Sequence, residues 1–316
     1  MPWIRQFLSY ARILVSAIDW TEGGNCSRAR GNLLTYWTSR RGVVSPEEIK
    51  PKTTDMHWGY DKENGPQTWG HHYPEANGPR QSPIDIDPSS AKFDVILANN
   101  PLVINYQTEH NLNVENNGHS YKADIKEEST ISGGPLGSSK YKLVQFHFHW
   151  GRDDKCGSEH TLKGKMYPGE LHLVHYNAEK YKSFTEAVTQ PDGLAVIGVF
   201  LKVGTIDHEG FKVLSDNASK VKCKAFKTET GLDLNPNNLL PENVTNYWTY
   251  EGSLTTPPCC ESVQWIVLKD PISVSPEQIR ALRNLCCDEN GSKRIIENFR
   301  PPLPLGEREL RSSFQL

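Results

Sequence analysis

Gln145-Phe146-His147-Phe148-His149-Trp150-Gly151 decides how this chain is read. Its length and aromatic content suit a β-strand, whose successive side chains point to opposite faces, so His147 and His149 share one face. A second run, Glu170-Leu171-His172-Leu173-Val174-His175, has the same character and can pair alongside it. Phase separates its two histidines: His172 shares a face with Glu170 and Val174, whereas His175 faces the other way. A lone strand histidine is ordinarily a satisfied core or edge residue. Three in phase, with no fourth protein ligand nearby, form the kind of zinc site that keeps a position open for water and is therefore catalytic.

The same period places Gln145 beside His147 and Glu170 beside His172. Zinc-bound histidines usually donate their second ring N–H to a carboxylate or carbonyl, and these two residues offer such acceptors on the correct face. A glutamate buried in a plain sheet core would be costly, so this pairing argues for a metal site.

With 316 residues and 36% hydrophobic content, the chain can bury a full core and fits one large domain or two small ones. Its 21 prolines and 24 glycines predict many turns and few long helices. A net charge of −3 argues against a nucleic-acid partner, and no run of about 18 apolar residues predicts a membrane span. Seven cysteines, with no C-x-x-C pair and two adjacent doublets, predict free thiols in a reducing compartment. Sequons at Asn25, Asn217, Asn243 and Asn290 are common enough by chance to carry no argument.

Residues 1–45 differ from the rest. They hold six arginines against Asp19 and Glu22, which leaves a clear negative balance elsewhere. Between 3 and 18, apolar residues recur at helical spacing with Arg5 and Arg12 off that face. An arginine-rich, acid-poor amphipathic segment fits a mitochondrial presequence, and a disordered leader without an address fits equally well. Ser45–Pro51 reads as a linker, so residues 1–56 form an extension and 57–316 the globular domain.

Strands are expected at 101–106, 111–116, 119–125, 141–150, 170–177, 194–203 and 262–268. Helices are expected after Ser183, over His208–Asn217, and from Ser275-Pro276-Glu277-Gln278 towards Cys287, stopping near Asn290-Gly291. The fold class is mainly β: a single domain with a large twisted, mostly antiparallel sheet and a few short surface helices.

Taken together, Gln145–Gly151, Gly157-Ser158-Glu159-His160-Thr161, Glu170–Asn177, Tyr250–Pro258, Gln81-Ser82-Pro83-Ile84-Asp85-Ile86 and Trp265-Ile266-Val267-Leu268 resemble the α-class carbonic anhydrases, specifically cytosolic-type animal enzymes. The resemblance runs from about His57 to the C-terminus. It implies about ten strands, with zinc on His147, His149 and His172 at the base of a conical cleft. It further implies reversible hydration of carbon dioxide to bicarbonate and a proton by zinc-hydroxide attack, and hence a part in pH regulation.

By the same resemblance, Thr255 accepts the hydroxide proton and donates its own to Glu159, and Thr256 contacts bicarbonate. Val174, Val196, Leu254, Val263 and Trp265 form the apolar substrate wall. His119 is the proton shuttle, with Tyr60 and Asn117 ordering water between it and the zinc. Mitochondrial members of the family carry tyrosine at the shuttle position, so His119 favours a cytoplasmic address over a mitochondrial one. Lys122 departs from the polar neutral residue common at the pocket rim. Cys259 matches half of the disulfide of secreted members, but Ala76 stands at its partner position. Sulfonamide inhibition and a monomer are expected. The alternative is a catalytically silent relative serving as a binding module, which typically lacks a zinc histidine.

Overall fold

The computed structural model describes residues 57–315, so the amphipathic segment at 3–18, the linker and Cys26 lie outside the described residues. In chain order the strands are β1 (Asp85–Ile86), β2 (Lys92–Phe93), β3 (Val103–Asn105), β4 (Asn113–Asn116), β5 (Tyr121–Asp124), β6 (Thr130–Ser132), β7 (Tyr141–Trp150), β8 (Thr161–Leu162), β9 (Gly169–Asn177), β10 (Leu194–Val203), β11 (Phe226–Glu229), β12 (Tyr247–Gly252), β13 (Val263–Leu268), β14 (Ile272–Val274) and β15 (Arg311–Ser312). The helices are α1 (Pro66–His72), α2 (Val95–Asn99), α3 (Phe184–Ala187), α4 (Glu209–Ala218) and α5 (Pro276–Arg283).

Among the described residues, one sheet of 13 strands carries the fold. Its main path is β11-β4-β5-β7-β9-β10-β13-β12-β15-β2, while β1 and β8 pair apart. The sheet is mixed. Its left half, through β7, β9 and β10, is antiparallel as expected, whereas β10–β13, β10–β14 and β15–β2 run parallel. The long strands β7, β9 and β10 fall where the sequence put them. The smaller strands at 85–86, 92–93, 130–132, 161–162, 226–229, 247–252, 272–274 and 311–312 were not foreseen.

The two faces of the β7/β9 pair do different work. Phe146, Phe148, Leu171 and Leu173 point into the main apolar core. His175 points there too, as its phase requires. Its Nδ1 donates to the Ala195 carbonyl (3.1 Å) and its Nε2 lies 2.8 Å from the Tyr106 hydroxyl. It is thus the satisfied core histidine.

Burial lowers the His175 pKa to about 3. The unfolded chain takes up this proton near pH 6.5, so the native state loses stability as pH falls from about 6.5 towards 3. In urea titrations, His175→Gln should lose about 3 kcal/mol less stability than the parent between pH 7 and pH 4. An equal loss in both proteins would show that His175 does not drive the acid response.

The helices follow their caps. Ser183 accepts from Glu186 N and opens the single turn α3, and His208 caps α4. Ser275 and Gln278 form a reciprocal capping box on α5, with Pro276 at the first position. One boundary needs correction. α5 stops at Arg283 rather than near Asn290, because Cys286 N is drawn to the Lys222 carbonyl (2.8 Å) and Cys287 N to that of Lys293 (2.8 Å). The six described cysteines are all free. No helix among the described residues is long and apolar enough to cross a membrane.

Candidate metal centre

Antiparallel register sets His147 directly across from His172, and His149 across from Glu170. One nitrogen from each of His147, His149 and His172 can be chosen so that all three lie within 4.8 Å of one another. The other ring nitrogens are all engaged. His147 Nδ1 donates to Gln145 Oε1 (2.9 Å), His149 Nδ1 to the Asn298 carbonyl (2.7 Å) and His172 Nε2 to Glu170 Oε1 (2.8 Å). The free nitrogens are therefore Nε2, Nε2 and Nδ1, with tautomers fixed to present lone pairs to a common point. Gln145 and Glu170 occupy the places their phase predicted. The Asn298 carbonyl carries no side-chain signal and was invisible to sequence reasoning.

Electrostatics agree with this geometry. Burial pushes the pKa of His147 well down, that of His149 to about 3, and that of His172 down as well, although Glu170 opposes the last shift. All three rings are neutral at physiological pH, the form a cation needs. His149 Nε2 is buried with no hydrogen-bond partner, and so is Glu159 Oε2, 3.4 Å away. Orphaned buried groups of this kind ask for an absent partner. Three neutral imidazoles without thiolates suit zinc and leave a tetrahedral corner open, so the residues fit that ion.

Glu170 is saturated. Its Oε2 accepts from the backbone N–H of Glu159 (2.9 Å) and His160 (2.8 Å), and its Oε1 accepts from both His160 Nδ1 (2.7 Å) and His172. Burial alone would raise its pKa, but His160 and His172 outweigh it and hold the carboxyl ionised. His160 in turn meets the Tyr250 hydroxyl (2.7 Å) through Nε2. The closeness of His160, Glu170 and His172 is thus accounted for by hydrogen bonds. Gly198 sits across from His172 on β10, where a Cβ would come within 3.2 Å of Glu170 Oε1, so the glycine gives the carboxylate its room.

Glu159 is buried with Oε1 accepting from Arg300 N (2.8 Å). Burial, with the nearby Glu170 charge, holds its pKa well above the usual carboxylate range, and hydrogen bonds from Thr255 and the Arg300 N–H offset that only in part. Thr255 is thereby brought against Glu159. Leu254 and Thr256 are half-buried in the same loop, which is tied to the sheet by Trp265 Nε1 donating to the Ser253 carbonyl (3.0 Å). The rest of the apolar wall is continuous across three strands: Val196 pairs with both Val174 and Trp265, and Val263 with Leu194. The Trp265 ring lies 4.8 Å from that of His172.

His119 stacks on Trp58 with ring centroids 3.8 Å apart. Asn117 Oδ1 accepts from the backbone N–H groups of His119 (2.9 Å) and Ser120 (2.8 Å), so this side chain shapes the turn that carries His119. Half-buried Tyr60 packs edge-on against Trp58 and Trp69, and burial followed by Glu159 keeps its phenol protonated. Asn298 Nδ2 donates to the His119 carbonyl (2.9 Å) while its Oδ1 accepts from Trp150 N (2.7 Å). One asparagine therefore ties the His119 turn to β7, the strand that carries His147 and His149. Lys122, across from His147, is buried between Glu115 (2.8 Å) and Asp124 (2.9 Å).

The family model for the eukaryotic-type carbonic anhydrase matches residues 64–314. Carbonic anhydrase 7 of Homo sapiens is 46% identical over 263 residues, covering 82% of this chain and 97% of that protein. Carbonic anhydrase 1 of Mus musculus is 47% identical over 262 residues, covering 81% and 98%.

Proposed function

Because the chain belongs to the eukaryotic-type carbonic anhydrases, we propose that His147, His149 and His172 hold zinc for the reversible hydration of carbon dioxide to bicarbonate and a proton. Residues 57–316 act as the catalytic domain, and 1–56 as an extension to it. The observation that carries this reading is the convergence of three neutral imidazole nitrogens, each with its opposite nitrogen engaged. Bound zinc supplies a Lewis acid that brings the pKa of water down to about 7, a value known for carbonic anhydrases as a class.

The chain's own residues do the rest. With a cation held on His149 Nε2, which stands 3.4 Å from Glu159 Oε2, Glu159 would be drawn into its ionised form and could only accept, so the Thr255 hydroxyl would spend its proton there and keep its lone pairs for a water proton at the open corner. That polarity orients the water oxygen towards carbon dioxide. Val174, Val196, Leu254, Val263 and Trp265 offer the apolar substrate a dry wall, and Thr256 a polar contact for bicarbonate. His119 carries the released proton to solvent from a turn shaped by Asn117, with Tyr60 lining the path. Lys122, neutralised by two carboxylates, keeps its charge in the ion pair. The silent binding module finds no support, since His119, Glu159, Thr255 and all three ligands are present. A monomer in the cytoplasm completes the reading.

Stopped-flow measurement of carbon dioxide hydration tests it: rapid turnover abolished by a zinc-directed sulfonamide is expected. Negligible hydration by protein containing one zinc would reject it. His119→Ala should retain zinc yet slow turnover by about ten-fold or more, with imidazole buffer restoring much of the rate. Unchanged turnover would remove His119 from the proton path.

A further inference from the structure

A groove of about 550 Å³ outside the metal centre is lined by Arg152, Arg280, Arg283 and Arg294, with Asp154 as the single carboxylate among its lining residues. It lies between α5, the turn after β7 and the segment 294–296. Four guanidinium groups gathered in one concavity stand out on a chain whose net charge is negative.

Three of the four guanidinium groups have a carboxylate partner, and one does not. Arg152 is paired with Glu297 (2.6 Å) and Arg280 with Glu277 (3.4 Å), both carboxylates outside the lining, and Arg294 makes no ion pair among the described residues. Arg283 is the anchor. Its Nε donates to the Gly151 carbonyl (2.9 Å) and its Nη1 to Asp154 Oδ1 (2.8 Å), which fixes the plane of the guanidinium. Its Nη2 is buried and has no acceptor. An anion in the groove satisfies this donor only if the Arg283 side chain turns towards it, whereas exposed Arg280 and Arg294 face solvent as they stand.

We propose that this groove binds a small organic phosphate. Guanidinium forks match phosphate oxygens in pairs, and the volume is that of a small-molecule site. Buried Ile279 and exposed Ile296 give one flank an apolar surface, which suits a phosphate carrying a ring or alkyl portion better than a bare inorganic anion.

Calorimetric titration of the full-length zinc-loaded protein tests this, with pyrophosphate and adenosine triphosphate as probes at low and physiological salt. Saturable binding that weakens with salt is expected, tighter for the nucleotide. The double variant Arg280→Ala/Arg294→Ala, altered only at exposed positions, should bind at least about ten-fold more weakly while hydrating carbon dioxide normally. Ile296→Ala should weaken the nucleotide alone. Absence of saturable heat up to about 10 mM of either probe would overturn the proposal. So would equal affinity in the double variant, which would place the anion elsewhere, or binding confined to anionic lipid vesicles.

Discussion

His147→Ala is expected to leave the purified protein without stoichiometric zinc and to lower carbon dioxide hydration on the order of 10³-fold or more. The reasoning is geometric. His147 supplies one corner of the triad, and its ring is oriented by Gln145, by its place across from His172 and by the edge-on ring of His149. Two imidazoles cannot reproduce a three-coordinate cradle, and the vacated corner lies open to water. The sheet itself should survive, because His147 lies on the face opposite Phe146 and Phe148 and contributes nothing to the apolar core. Metal analysis, stopped-flow hydration and circular dichroism of the same preparation separate the cases. A folded variant with full zinc and normal turnover would remove His147 from the site.

Glu159→Gln should keep its zinc and still lose turnover by about 10²-fold or more. The amide offers the Thr255 hydroxyl a donor as readily as an acceptor, so the hydroxyl loses its enforced direction. Thr255→Val should fall by a similar factor, for it removes the group that Glu159 directs. Because the two act through one another, the double variant should be no slower than the worse single one. Multiplying effects would mean that Thr255 and Glu159 contribute separately. Backbone support argues that the carboxylate's position survives the change to an amide, since Arg300 N can still donate to the retained oxygen.

The strands that bear the ligands were legible because their apolar face and their histidine face alternate without interruption. β12 was not, because five of its six residues are buried on both sides and its Tyr247-Trp248-Thr249-Tyr250 run shows no period of two. The length of α5 was overestimated because a tertiary hydrogen bond at Cys286, not a local breaker, ends the helical region. At the site, phase alone found Gln145 and Glu170. Glu159, Thr255 and His119 needed the longer resemblance, since a turn residue or a buried loop acid has no period to betray it. Asn298 escaped both approaches because it acts partly through its main chain.

That asparagine has a consequence for how the molecule ages. The same residue steadies the ring of His149 and the carbonyl of His119. Local fraying around 298 would therefore loosen the His149 ring and the His119 turn in one event. Heated or chemically worn samples should contain intact and dead molecules side by side, with few that keep their zinc but pass protons sluggishly.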